Sequence, residues 1–352
     1  MRKALKRLDR MLTAGGLLAA WFVWGHAPQR AKRLAEKYER FRADLQFAHD
    51  ALDAQFQHHE CVVDGLRWHY VEEGDPGGTP VLLLHGLPEC WYSWRYVLPK
   101  LDHAYRLIAI DMKGYGRSDL QDPDYNWHTV AAQTLALMEH LGARQFFVVG
   151  HDWGALIGSV LVGDHPERIY GFVRMQADLI PKAGDERWKT YLQKPQFVLF
   201  RSNWLATYMM RDAAAFIDMV YRTRMNTPLA RQDRDYLVYE WSRPGVAEMN
   251  PRYFQARNWD LDAALGKICR NQFPFPVLQL QADGDPSQPR ELFADVASEC
   301  PNVRLEWITG ANHFDNLDQP EQVADAINRF VRATAPPAAS PSTKPSRRKR
   351  RE

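Results

Sequence analysis

Apolar residues fall in short uninterrupted runs through the middle of the chain: "VLLLHG" (81–86), "YRLIAIDM" (105–112), "QFFVVGHD" (145–152) and "IYGFVRMQA" (169–177). Runs of this length suit strands buried on both faces. Stretches with helical spacing separate them, such as "HTVAAQTLALMEHLG". Ahead of them, "CVVDGLRWHYVEEG" sets an Asp-Gly pair between two alternating runs, which predicts a hairpin. The pattern resumes with "PVLQLQADGD" (276–285) and "RLEWITGANHF" (304–314), followed by a closing helix, "EQVADAINRFVRAT". Alternation of this kind predicts right-handed β-α-β units, hence an α/β fold with a mostly parallel sheet and helices on both faces.

From Leu179 to about Lys267 the alternation stops, and helical stretches rich in Trp, Tyr and Met take over. Ligands of open α/β sheets bind at the carboxyl ends of the strands, so a helical insertion between two strands reads as a lid over that end. Its aromatic load implies a pocket for an apolar molecule, although most of these side chains serve as the lid's own core. The chain is thus divided into a basic and apolar N-terminal segment with a charged helix (1–56) and a first core part (57–178). The lid (179–267), a second core part (268–332) and a tail (333–352) follow.

Both ends differ from the middle. "MRKALKRLDR" is basic and "MLTAGGLLAAWFVWG" (11–25) is apolar, with Trp21 and Trp24 suited to a lipid interface. The stretch is shorter than the roughly 20 residues that span a bilayer. Its two readings are a membrane-surface anchor within residues 1–25 and a terminal helix packed on the domain. Residues 30 to 56 form a charged helical stretch with one apolar stripe of Leu34, Tyr38, Phe41, Leu45 and Leu52. The tail, "ATAPPAASPSTKPSRRKRRE", cannot build a core and is expected to be solvated. The formal charge of +2 indicates no acidic or basic partner, and nucleic acid is not expected. Four cysteines without ladder spacing read as isolated thiols in a reducing compartment. The expected location is the cytoplasm, or a membrane surface facing it.

The chemistry concentrates in "FVVGHDWGALIG" (147–158), where Gly150 and Gly154 bracket Asp152 between a strand and a helix. This is the nucleophile elbow, a sharp turn that lifts one side chain into the site above a helix N-terminus. A carboxylate there is a poor attacker of esters and amides, because the product would be an anhydride. Against a saturated carbon bearing a leaving group it forms a stable alkyl ester, which water must then cleave. That second step needs a base. In the order nucleophile, acid, histidine, His313 just past the last strand is the base and Asp285 the acid that orients it, with Asp283 competing for that role. His85 and His151 fit structural positions better. Two backbone N–H groups would hold the oxyanion, those of Trp153 and Leu87.

"HGLPECWYSWRYVLP" (85–99), "DMKGYGRSD" (111–119) and "GHDWGA" (150–155), in that order and spacing, resemble the epoxide hydrolase branch of the α/β-hydrolases. With the lid, Asp285 and His313, the resemblance covers roughly residues 58 to 332. It implies the α/β-hydrolase fold and an apolar epoxide and water as partners. Asp152 would open the epoxide to a hydroxyalkyl ester that water cleaves to a vicinal diol, with no metal or cofactor. Some relatives carry an N-terminal membrane anchor. Members also present two lid tyrosines that protonate the epoxide oxygen. Here the first position falls on Trp204, with Tyr208 one turn away, and the second on Tyr253 or on Phe254. Haloalkane dehalogenases are the nearest rival: they share the triad, and Trp153 with Trp204 could hold a departing halide. Many of them, however, carry an asparagine where this chain has Leu87. Haloacetate dehalogenases place arginines on the elbow, where this chain has Trp153 and Leu156. A third reading is a non-catalytic scaffold kept for ligand binding, against which the triad stands.

Overall fold

The computed structural model describes residues 27–177, 196–256, 259–271 and 273–335. The expectations for residues 1–25, for the first part of the lid and for the basic tail lie outside the described residues. Among the described residues, no helix is long and apolar enough to cross a membrane.

Eight strands form one sheet: β1 (His58–Val63), β2 (Leu66–Gly74), β3 (Pro80–Leu84), β4 (Arg106–Ile110), β5 (Phe146–His151), β6 (Ile169–Met175), β7 (Val277–Ala282) and β8 (Val303–Ile308). Their spatial order is β1-β2-β4-β3-β5-β6-β7-β8. The pairs β1–β2 and β2–β4 are antiparallel, and every other neighbour is parallel. The predicted hairpin turns at Asp64 and Gly65, both at positive φ (50° and 80°), as a tight two-residue turn requires. All six positions of β5 and of β7 are buried; β5 reads as a nearly continuous apolar run, whereas β7 buries Gln279 and Gln281 among its apolar residues, and both amides donate to the Ala177 carbonyl.

Helices cover both faces. Neighbouring strand residues point to opposite faces. A Cβ on Gly171 would meet Phe330 of the closing helix, whereas the next residue, Phe172, packs on Gly158 of the helix after β5. The core is a continuous cluster of buried Leu, Val, Ile, Phe and Trp side chains running from the sheet into the lid.

In chain order the longer helices are α1 (Ala27–Asp53), α2 (Trp127–His140) and α3 (Trp153–Asp164). Between β6 and β7 come α4 (Gln196–Leu199), α5 (Asn203–Met210), α6 (Ala213–Arg224), α7 (Arg231–Trp241), α8 (Val246–Met249), α9 (Pro251–Ala256) and α10 (Trp259–Asn271). The last of these runs past the expected lid boundary at Lys267, since the first proline that can stop it is Pro274. The sheet then resumes, with α11 (Val296–Glu299) before β8, and with α12 (Asp315–Asp318) and α13 (Pro320–Thr334) closing the chain.

Helix α1 belongs with the lid rather than standing apart. The Tyr38 hydroxyl donates to Asp212 at 2.6 Å and accepts from the Ala214 N–H at 2.9 Å. His49 lies 2.8 Å from Glu240 of α7, and its ring stacks on Tyr236.

Candidate active site

The sharp turn between β5 and α3 depends on its two glycines. A Cβ on Gly150 would lie 2.5 Å from the Gly154 carbonyl oxygen, and one on Gly154 would lie 2.2 Å from that of Leu84. Both contacts are impossible for a side chain, so only glycine lets α3 approach β3 and β5 this closely. Asp152 at the tip has φ 49° and ψ −113°, a conformation that costs an ordinary residue of order 1–3 kcal/mol. Its N–H donates to the Met175 carbonyl at 3.1 Å, which ties the turn to the end of β6.

Three separate loops bring their groups to this tip. The Leu87 N–H, after β3, donates to Asp152 Oδ1 at 3.1 Å. His313, beyond β8, sets Nε2 3.3 Å from Asp152 Oδ2. Its Nδ1 lies 2.9 Å from Asp285 Oδ2, beyond β7. Asp285 Oδ1 in turn accepts from the Ser287 N–H (2.8 Å) and the Ser287 hydroxyl (2.7 Å). Asp283 does not join this group: it is exposed and accepts from the Gly310 N–H at 2.9 Å.

Burial works to raise the Asp152 pKa, but the hydrogen bond and charge of His313 outweigh it, with His151 and the Leu87 N–H helping, and hold it at about 2. Asp285 is likewise held well below the usual carboxylate range: burial is overcome by His313 and the two Ser287 donors. For His313 burial favours the neutral ring, yet hydrogen bonds and charge from Asp152 and Asp285 raise its pKa overall. The tip therefore carries an ionised carboxylate beside an imidazole whose proton is stabilised by two carboxylates.

Behind the tip lies a second layer that the residue pattern gave little hint of. Glu89 Oε2 accepts from the Gly86 N–H at 2.6 Å and lies 2.9 Å from His151 Nδ1. His151 Nε2 lies 2.8 Å from the His313 backbone oxygen. Burial would push the His151 pKa down, but Glu89 lifts it to about 10. An imidazolium–carboxylate pair thus links the Leu87 loop to the His313 loop. His85 is structural as well: its Nε2 accepts from the Met112 N–H at 3.0 Å.

A cavity of about 240 Å³ opens over Asp152 and His313. Leu87, Trp153, Leu156, Phe200, Phe216 and Phe254 supply much of its apolar lining. The lid residues singled out from the sequence are placed differently from expectation. Tyr253 is fully buried with its hydroxyl donated to the Lys113 carbonyl at 2.6 Å, and its neighbour Phe254 faces the cavity. Trp204 is 40% exposed and stacks on Tyr208, whose hydroxyl bonds Arg30 of α1. None of Trp204, Tyr208 and Tyr253 lines the cavity. Tyr208 of α5 meets Arg30 of α1, a contact that helical spacing within the lid could not reveal. Trp153 does line the cavity, with its ring edge-on to Trp127 and Phe254.

The sequence pattern of the alpha/beta hydrolase fold family matches residues 79–320. The chain is 35% identical over 289 residues to a soluble epoxide hydrolase from Corynebacterium sp. (strain C12), covering 79% of this chain and 98% of that protein. It is 38% identical over 297 residues to epoxide hydrolase 3 of Xenopus tropicalis, covering 76% and 75% respectively. Among solved structures, epoxide hydrolase VrEH1 from Vigna radiata superposes with a TM-score of 0.69 at 24% identity, over 79% of this chain and 98% of that one. Epoxide hydrolase CorEH without ligand gives 0.69 at 23% identity, over 79% and 99%; these two likenesses speak to the fold. On the strength of the family match and the two sequence relatives, the chain belongs to the epoxide hydrolase branch of the α/β-hydrolase superfamily.

Proposed function

We propose that this protein is an epoxide hydrolase that converts an apolar epoxide to a vicinal diol through a covalent ester on Asp152. The observation that carries the reading is the division of labour between the two carboxylate oxygens. Oδ1 is held by the Leu87 N–H, while Oδ2 stands beside His313 at the floor of an apolar cavity. Oδ2 attacks a ring carbon, the C–O bond opens, and the ring oxygen leaves as an alkoxide that takes up a proton from solvent water. Asp152 becomes an uncharged ester. Neutral His313 then removes a proton from water, whose oxygen adds to the Asp152 carbonyl carbon. Asp285 stabilises the imidazolium that results. The negative charge of the tetrahedral adduct sits on Oδ1, where the Leu87 N–H already points, and we assign the Trp153 N–H at the start of α3 as its second donor. Collapse expels the diol with Oδ2 as that oxygen takes the proton back from the His313 imidazolium, and the water oxygen stays on Asp152.

Two measurements test this. A His313→Gln variant should accumulate substrate mass on the Asp152 peptide, because attack survives while water activation is lost. In a single turnover in labelled water, the heavy oxygen should enter Asp152 and not the diol. Label appearing directly in the first diol would show attack by water on the epoxide and sink the scheme. The dehalogenase reading is less well supported: Trp153 reaches the cavity but Trp204 does not, so only one of the two indoles it invoked is in place. Halide release from haloalkanes without epoxide turnover would restore it.

A further inference from the structure

Helix α6 crosses the cavity with Phe216, Met219, Val220, Thr223 and Arg224 facing inward, the spacing of one helical face. The face changes character along its length: three apolar side chains, then a hydroxyl and a guanidinium. Arg224 is the one permanently cationic side chain among the described residues that line the cavity. At its end of the cavity stand Ser287 and Gln288, while Phe200 and Phe254 belong to the apolar lining.

The guanidinium is only partly committed. Arg224 Nη1 donates to the Ser287 oxygen at 2.8 Å, and the Ser287 hydrogen is itself given to Asp285. From Asp285 Oδ1 the same nitrogen is 3.9 Å away, beyond hydrogen-bonding distance, and that carboxylate already accepts from Ser287 twice and from His313. The side chain is 24% exposed. A planar fork of five donors with one hydrogen bond among the described residues, fixed beside Ser287 in a largely apolar cavity, matches a carboxylate in shape and charge.

Resting on the epoxide reading above, we infer that the substrate is amphiphilic: an apolar body bearing the oxirane, with a carboxylate that Arg224 receives. Omega-epoxydecanoate and its methyl ester test this as a matched pair, alongside decanoate and decanol as unreactive probes of binding. The wild type should favour the acid over the ester in kcat/KM by about tenfold or more, as expected for hydrogen bonds to a charged group. Arg224→Met should collapse that ratio, chiefly by raising KM for the acid, and Arg224→Lys should retain part of it. By calorimetry, decanoate should bind more tightly than decanol to the wild type but not to Arg224→Met. Turnover of acid and ester at equal efficiency by the wild type, or an undiminished preference in Arg224→Met, overturns the inference while leaving the epoxide reading intact. Arg224-dependent binding of decanoate without turnover of either epoxide keeps the anion site and removes the epoxide reading. Equal binding of decanoate and decanol removes the anion site whatever the turnover.

Discussion

Tyr253 donates its hydroxyl to the backbone carbonyl of Lys113 at 2.6 Å, and it is the next residue, Phe254, that faces the cavity over Asp152. The proton that the epoxide oxygen needs therefore has no phenol to come from at this position. A hydroxyl added there should supply it. Phe254→Tyr is expected to accelerate formation of the Asp152 ester about tenfold or more, since a positioned general acid contributes at least that much. Stopped-flow measurement of the alkylation step checks it; an unchanged or slower step would mean that protonation does not limit opening.

The pH dependence follows from the company His313 keeps. In the resting protein its pKa is raised: burial lowers it, but hydrogen bonds and charge from Asp152 and Asp285 more than compensate. Once Asp152 is an ester its charge is gone, and only Asp285 still holds the proton. Neutral His313 is the active form for ester hydrolysis, so that step fails as pH falls through the pKa of the intermediate. The acid limb of ester breakdown should accordingly lie at lower pH than the titration of His313 in the resting protein. NMR titration of His313 beside single-turnover rates decides this, and coincident values would contradict the proposed neutralisation. Asp152 adds no limb near neutrality, being ionised above about 2.

The choice between the two acids after β7 can be settled by a pair of substitutions. Asp285→Asn should slow ester hydrolysis by about a hundredfold or more, because the imidazolium loses its partner and the ring its fixed tautomer. Asp283→Asn, at an exposed carboxylate that accepts from the Gly310 N–H, should stay within about twofold of the wild type. Equal losses in both would remove the distinction.

Much of this site was legible because its signals are local. Gly150, Asp152 and Gly154 announce a turn whose geometry only glycine permits, and apolar runs announce β3, β4 and β5. Asp285 and His313 follow from chain order once the nucleophile is known. The lid resisted the same treatment. A buried Tyr and a buried Phe one residue apart look alike in a helical pattern, and which one meets the cavity depends on the partner packed against the other. For Tyr253 that partner is the Lys113 carbonyl, 140 residues earlier in the chain. The Glu89–His151 pair was hidden for a related reason: each belongs to a motif read for its neighbours, Leu87 and Asp152.

That pair should be costly to break. Glu89 is buried against His151 at 2.9 Å, and removing its charge leaves the imidazolium without its nearest counterion. Glu89→Gln is expected to destabilise the protein by about 3–5 kcal/mol, the usual penalty for unpairing a buried charge. It should also loosen His313, whose backbone His151 supports. Denaturant titration measures the first effect and the ester-breakdown rate the second; a loss under about 1 kcal/mol would show His151 to be neutral in the fold.

The clasp formed by Tyr38 and His49 has a consequence for where this molecule can be shortened. Asp212 and Glu240 belong to the helical insertion between β6 and β7, yet their partners arrive from α1, ahead of the first strand. Trimming up to residue 26 spares every one of these bonds, whereas trimming to residue 56 would strip a carboxylate of its imidazole and bare the flank of α7. Any shortened form that keeps these bonds must therefore include α1, about thirty residues before the first strand.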